Sequence, residues 1–269
     1  MRTVKIQGGL GNQLFGLAFA RSLTLATGAP VALDVASYRW DKFGMTFTIG
    51  EIADRIGGLT VVERPWLGNR LTSAAMRRAP FDLGLFTSET LPLPADFDFG
   101  VYAGRQGYFD GYWQHEAYIL DGGAWSDLFG AFVSARAVAD ERDAVVLHYR
   151  TYKEENHPVF SRTPERDYFL DAIAAVERGS GRVSKLVLVS DDPELALDRL
   201  GDLGREIVIR GRRGWADDMA LMLNARALIL TNSSFSWWAG YCGRAGVVTY
   251  PTRRRLFHYP IPAGRFVRC

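Results

Sequence analysis

The sequence predicts an α/β protein whose regular second half builds a parallel sheet. Three observations carry that expectation. Apolar strand-like runs alternate with helical runs through the second half, the N-terminus opens as strand, glycine turn and helix, and the composition is that of a folded chain. Of 269 residues, 48% are apolar and 13% aromatic, enough to bury a full core in one large or two ordinary domains.

The first strand is Thr3-Val4-Lys5-Ile6, followed by the turn Gln7-Gly8-Gly9-Leu10-Gly11-Asn12-Gln13. Leu14, Leu17, Ala18 and Leu25 then fall at helical spacing up to Gly28. Val31 to Asp34 reads as a second strand. From Ser37 to Asp98 the pattern is irregular, with scattered glycine, proline and aromatics, and predicts short helices and loops. Tyr108 to Gln114 reads as a dense aromatic turn, and helical segments close the first domain near residues 135–140. The second half then gives strands at 144–147, 186–189, 207–209, 228–230 and 247–250. Helices are expected between them at 164–176, 193–200, 215–227 and 236–242. Strands alternating with helices in this way imply right-handed parallel crossovers, with ligands at the strands' carboxyl ends. The expected division is an N-terminal α/β domain over 1–138 and a C-terminal domain over 139–269.

Charge and cysteine content exclude several classes. The formal net charge is +2, from 32 basic and 30 acidic residues, so no global field attracts nucleic acid. Arginines concentrate locally, at 205–213 and 253–255, where they form a solvated face or suit an anionic ligand or acidic membrane surface. Cys242 and Cys269 provide neither a disulfide framework nor a zinc spacing. There is no signal-peptide pattern and no run of eighteen apolar residues. A reducing bacterial cytoplasm is the expected location, with peripheral attachment at the inner face of the membrane as its variant.

The polar motifs follow the strands. Leu228-Ile229-Leu230 leads into Thr231-Asn232-Ser233-Ser234-Phe235-Ser236-Trp237-Trp238. Small hydroxyl residues at a strand-to-helix turn make either a plain N-cap or a seat for a phosphate on the positive end of the helix dipole. His148-Tyr149-Arg150 directly follows the strand at 144–147. Arg150 can fork onto a phosphate, and His148 either orients it or sits as a core histidine. Ser190-Asp191-Asp192 precedes Pro193, so the carboxylates either cap the next helix or accept from a ribose or guanine edge. Asp217 and Asp218 read as capping residues. Gly9 and Gly11 match the first two glycines of a dinucleotide fingerprint with Asp34 as the ribose acid, but the third position is Leu14. The amides of Asn12 and Gln13 instead suit sugar hydroxyls or phosphate. No metal-binding motif is present in the sequence.

In order along the chain, these segments resemble the α-1,2-fucosyltransferases, glycosyltransferase family 11. The resemblance rests on Gly8 to Gln13 with its Ala-rich helix, on Gly107 to Gln114, on His148-Tyr149-Arg150, on Ser190-Asp191-Asp192, and on Asn232 to Trp238. One departure stands out: Thr151 replaces the family's second Arg, and Lys153 replaces the acid two places later. The resemblance implies a GT-B-type fold, two Rossmann-like domains with parallel sheets facing a central cleft. It makes the N-terminal domain the acceptor side and the C-terminal domain the nucleotide-sugar side. GDP-L-fucose would be the donor, with inversion at the anomeric carbon, no metal and no other cofactor. Arg150 and His148 would be catalytic. Gly9, Gly11, Asn12, Gln13, Arg150, Ser190, Asp191, Asp192, Asn232, Ser233, Ser234 and Phe235 would bind the donor.

The acceptor implied is a galactose-terminated oligosaccharide or lipid-linked glycan of a bacterial surface polysaccharide such as an O-antigen. Candidate bases are Asp34, Asp110 and Glu154, unranked. The alternatives are a related transferase with another linkage or nucleotide sugar and, from a different class, an NAD-dependent oxidoreductase resting on Gly9, Gly11 and Asp34.

Overall fold

The computed structural model describes residues 1–41, 44–64, 86–90, 93–135, 143–151, 164–210, 214–251 and 265–269. The described residues form two compact units, one from Met1 to Trp125 and one from Ser126 onward, and the division falls inside helix Gly122–Ser134. The boundary expected at 138/139 lies outside the described residues. Among the described residues no helix is long and apolar enough to cross a membrane.

The N-terminal unit holds a five-stranded, all-parallel sheet in the order β3-β2-β1-β5-β4. The strands are β1 (Arg2–Lys5), β2 (Val31–Asp34), β3 (Leu59–Val62), β4 (Phe86–Ser88) and β5 (Gly107–Asp110). β1 lies at the centre, with Val4 in register with Leu33 on one side and Phe109 on the other. A parallel strand covered on both faces must bury every residue, and all four β1 residues are buried. Its Lys5 Nζ is therefore paired with Asp110 of β5 at 3.1 Å. Helix Leu10–Thr27 stops where the sequence says it should: Gly28 takes φ 64°, and its N–H donates to the Thr24 carbonyl at 2.8 Å. Phe19 on that helix stacks on Trp113 at 3.8 Å and meets Tyr102, Phe109 and Tyr118 edge-on.

Three expectations for this half are corrected. The irregular region supplies two strands, β3 and β4. The aromatic turn is half strand: Tyr108 and Phe109 are buried in β5 beside β1, so only Gly111 to Gln114 turn. Ile6 falls just past the end of β1.

The C-terminal unit carries six parallel strands, ordered β8-β7-β6-β9-β10-β11. These are β6 (Val145–Tyr149), β7 (Lys185–Ser190), β8 (Glu206–Ile209), β9 (Ala227–Leu230), β10 (Val247–Tyr250) and β11 (Phe266–Arg268). Counted within the unit, this is the 3-2-1-4-5-6 order of a Rossmann sheet, whose direction of winding reverses between β6 and β9. Val145, Leu147, Leu188 and Ile229 pack against Phe169, Ile173 and Val176 of helix Arg166–Ser180. Tyr168 of that helix donates its buried hydroxyl to the Leu230 carbonyl at 2.5 Å.

Here too the boundaries move. β6 runs on through His148 and Tyr149, which pair with Val189 and Ser190, so these two residues lie inside the strand. Helix Arg166–Ser180 continues four residues beyond the expected end at 176, until Gly181 at φ 84° stops it. Helix Trp215–Asn224 ends early because Ala225 is extended and β9 begins at Ala227. Its first turn holds Asp217 and Asp218, but the N-cap is Gly214, so the two acids complement the helix dipole and do not cap. Helix Ser234–Cys242 starts two residues before the expected 236, and β11 was not anticipated.

Truncating the ring that joins the N-terminal aromatics tests this packing. Phe19→Ala should lower unfolding stability by about 3–5 kcal/mol, the usual cost of a buried Phe-to-Ala cavity. Urea denaturation followed by tryptophan fluorescence measures it, and a loss under about 1 kcal/mol would contradict the packing described.

Candidate active site

In the C-terminal unit the sequence motifs meet at the reversal point. β6 and β9 are neighbours, so the residues that leave their carboxyl ends are placed side by side. The Thr231 N–H donates to the His148 carbonyl at 3.1 Å, and the Arg150 N–H donates to Thr231 Oγ1 at 2.9 Å. The chain beyond β6 is thus laced to the start of the Asn232-Ser233 turn. Across the other neighbour, β7, Asp191 bridges two groups. One carboxylate oxygen accepts from the Thr151 N–H at 2.8 Å, and the other pairs with Arg150 Nη1 at 2.9 Å. The pair is partly exposed, 42% for Arg150 and 32% for Asp191, so screening limits it to about 1 kcal/mol. Its worth is positional, because it aims the guanidinium.

The adjacent carboxylate does something else. Asp192 is the N-cap of helix Pro193–Leu200 and accepts from the Leu195 N–H at 3.2 Å, while Ser190 Oγ accepts from the Asp192 N–H. Ser233 occupies the N-cap of helix Ser234–Cys242 with extended backbone, yet its side chain makes no capping hydrogen bond. The Trp237 N–H donates to the Ser233 carbonyl at 3.0 Å, and Ser236 Oγ, fully buried, points back at the same carbonyl. A helix start whose cap hydroxyl is not spent on the helix keeps both the dipole and that hydroxyl for an anion.

His148 is buried, with its ring 5.9 Å from that of Phe235. Its Nδ1 has no hydrogen-bond partner among the described residues. Burial, reinforced by the nearby Arg150 charge and only partly opposed by Asp191, pulls its pKa down to about 4. The ring is therefore neutral at neutral pH.

In the N-terminal unit the glycine turn is built differently from the expectation. The Gly8 carbonyl accepts from Tyr38 Oη at 2.9 Å and from Gln13 Nε2 at 3.1 Å. Gln13 is buried, and its amide also donates to the Thr46 carbonyl and accepts from the Thr48 N–H. That amide is occupied by backbone. Asn12, half-buried, accepts from Gln114 Nε2 at 2.7 Å. The helix is started by backbone bonds from Asn12 and Gln13 to the Gly9 carbonyl, and Gly11 lies buried in the first turn.

Asp34 is likewise inward. Its carboxylate accepts from the Ala36 N–H, the Arg64 N–H and Tyr108 Oη, at 3.0, 2.9 and 2.8 Å. Asp110 is buried against Lys5. Lys153 and Glu154 lie outside the described residues. Among the described residues no group of three or more His, Cys, Asp or Glu is arranged to hold a metal ion.

Two participants escaped the sequence reading. Thr231 joins β6 to the hydroxyl turn, and its position at a strand end beside Asn232 was the available signal. Glu89 follows β4 and accepts from the Trp113 N–H. Burial holds its carboxyl above the usual range, and nothing in the irregular stretch around it marks it.

The neutral, buried His148 has a thermodynamic signature. Its folded pKa of about 4 lies below the ordinary 6.5, so between those values the unfolded chain binds a proton that the folded chain does not. Stability should fall as pH drops from about 6.5 to about 4, by up to ~3 kcal/mol from this group. His148→Phe should remove that part of the slope in denaturation curves at pH 7 and pH 4.5. Identical acid-side losses in both proteins would contradict the assignment.

The model of glycosyl transferase family 11 matches residues 156–253. No curated protein sequence matches the chain. Similar solved structures include NodZ, an α-1,6-fucosyltransferase soaked with GDP-fucose, at 14% identity and TM-score 0.49, covering 92% of this chain and 94% of that one. A family 9 glycosyl transferase from Veillonella parvula is 13% identical with TM-score 0.46, covering 99% and 86%. POFUT1 in complex with GDP is 13% identical with TM-score 0.40, covering 91% and 96%. The family match covers less than half of the chain, from beyond β6 to just past the end of β10, and so takes in Asp191 and the Asn232-Ser233 turn but not His148 or Arg150.

Proposed function

We propose that this chain is an inverting, metal-independent fucosyltransferase that moves L-fucose from GDP-β-L-fucose to the 2-OH of a terminal β-galactose. The acceptor is a glycan or lipid-linked precursor of a bacterial surface polysaccharide, met in the cytoplasm or at the inner face of the membrane. One observation supports the reading above the others. In a chain whose residues 156–253 match the model of glycosyl transferase family 11, Arg150, Thr231 and the uncapped Ser233 helix start converge where a Rossmann sheet reverses.

The chemistry follows from those groups. As the bond to fucose stretches, negative charge gathers on the departing diphosphate and the sugar becomes oxocarbenium-like. A guanidinium and a helix start preset toward that charge stabilise it without reorganising. Asp191 aims Arg150 by pairing with its Nη1. His148, neutral, adds no charge and fills the space beside Phe235. Asn232, Ser233, Ser234 and Phe235 form the phosphate end, Ser190 and Asp191 the ribose or guanine side, and Gly9 and Asn12 meet sugar hydroxyls, while Gly11, buried in the first turn, supports the helix start. Asp192 and Gln13 support the site through the backbone bonds already described.

A second reading is a sister transferase with another donor or linkage. Thr151 favours it: its backbone N–H bonds Asp191 and its side chain is buried, so the family's second cation is not supplied from that position. The NAD-dependent reading is weaker, since every donor around Asp34 belongs to the protein itself.

Incubation of the purified protein with GDP-fucose and lactose in EDTA should yield a fucosylated product. Arg150→Ala should lower its turnover on the order of 10² to 10³ while leaving the fold intact by circular dichroism. Absence of product across a panel of β-galactosides would reject the proposal. Binding of GDP-mannose or a UDP-sugar in preference to GDP-fucose would select the second reading.

A further inference from the structure

In the N-terminal sheet β1 and β5 are neighbours, and two turns leave the carboxyl ends of these strands side by side. One is Gly8-Gly9 after β1, the other Gly111 to Gln114 after β5. They close on each other through Gly8, whose φ is +75°. A Cβ at Gly8 would lie 2.7 Å from Asn12 Nδ2 and 3.3 Å from Tyr112 Cε1. The amide and the ring thus occupy the space a side chain would take. Gln114 Nε2 then ties the second turn to Asn12 Oδ1 at 2.7 Å.

The other side of the Gly111 turn is fixed as firmly. Glu89 accepts from the Trp113 N–H, and a Cβ on Gly111 would fall 2.9 Å from Glu89 Cβ. Trp113 is held at φ 56° with its ring buried and stacked on Phe19. A bulky residue in left-handed backbone costs on the order of 1–3 kcal/mol and persists only where its surroundings over-determine it. Everything around this turn is therefore clamped. The residue it presents is Tyr112, whose side chain remains 41% exposed between two buried anchors.

We propose that the Tyr112 ring is the platform on which the acceptor's β-galactose ring stacks, with the Asn12 and Gln114 amides taking its hydroxyls. The inference rests on the transferase reading above and names its acceptor subsite. A galactopyranose offers one face of C–H groups rimmed by hydroxyls, and an aromatic face with a few fixed amides is its complement. A diphosphate would ask for cations instead. Lys5, on the strand beside this turn, is already paired with Asp110, and the side chain that accepts from the turn's Trp113 N–H is the carboxylate of Glu89.

Steady-state kinetics with lactose as acceptor test the idea. Tyr112→Ala should raise the acceptor KM about tenfold or more, with kcat and the GDP-fucose KM within about twofold of the parent, the pattern of lost ground-state binding. Tyr112→Phe should stay near the parent, because the ring carries the contact. An unchanged acceptor KM in Tyr112→Ala would overturn the proposal, as would Tyr112→Phe behaving like Tyr112→Ala. Should the alanine variant fail to fold, saturation-transfer NMR on the parent protein decides. Saturating aromatic protons should mark the galactose C–H face of a β-galactoside, and no transfer to that face would overturn it. Failure of the parent to fucosylate any galactoside would sink the transferase reading itself, which is a different result from a productive parent whose Tyr112→Ala variant keeps its acceptor KM.

Discussion

A single carboxylate orders the C-terminal site. Asp191 leaves β7 and reaches the chain beyond β6, taking the Thr151 N–H with one oxygen and the Arg150 guanidinium with the other. A second tie is the Arg150 N–H donating to Thr231 Oγ1. The carboxylate sets both the path of the main chain at Thr151 and the direction of the Arg150 guanidinium. The cation is positioned before any ligand arrives, which is the condition for electrostatic stabilisation without reorganisation.

The same economy of fixed groups runs through the N-terminal unit, where polar side chains act on backbone. Gln13 binds the Gly8 and Thr46 carbonyls and the Thr48 N–H. Asp34 gathers three donors from distant parts of the chain. Buried amides and carboxylates of this kind must be satisfied inside the protein, and here the partners are loops that a helix and a sheet alone would leave loose. The Gln13 bonds tie the Gly8 turn that precedes Asn12 to the segment of Thr46 and Thr48.

How far the sequence could foresee this varies with the physics of each element. Leu228 to Leu230 and Val247 to Tyr250 were readable because parallel strands bury both faces and show as apolar runs. Helix Pro193–Leu200 was readable from Asp192 and Pro193, cap and first turn. β3 was not, since Thr60 and Val61 of this edge strand face solvent and break the apolar signal. β4 is three residues long, too short for any period to register. His148 and Tyr149 read as following the strand because their polar atoms end its apolar run, yet their pairing with Val189 and Ser190 extends it. The motif residues Arg150, Asp191 and Ser233 were identifiable, whereas the orientation of Gln13 and Asp34 was not. Which way those two side chains turn depends on partners such as Thr46, Arg64 and Tyr108, tens of residues away in the chain.

The Lys5–Asp110 pair has an evolutionary corollary. Both side chains are nearly inaccessible and sit on adjacent central strands, so the loss of either strands an uncompensated charge in a dry interior, typically at a cost of about 3–5 kcal/mol. Replacing both together with apolar residues of similar volume is often neutral. Positions 5 and 110 should therefore change together in descent, with relatives of this chain carrying either the ion pair or a matched apolar couple.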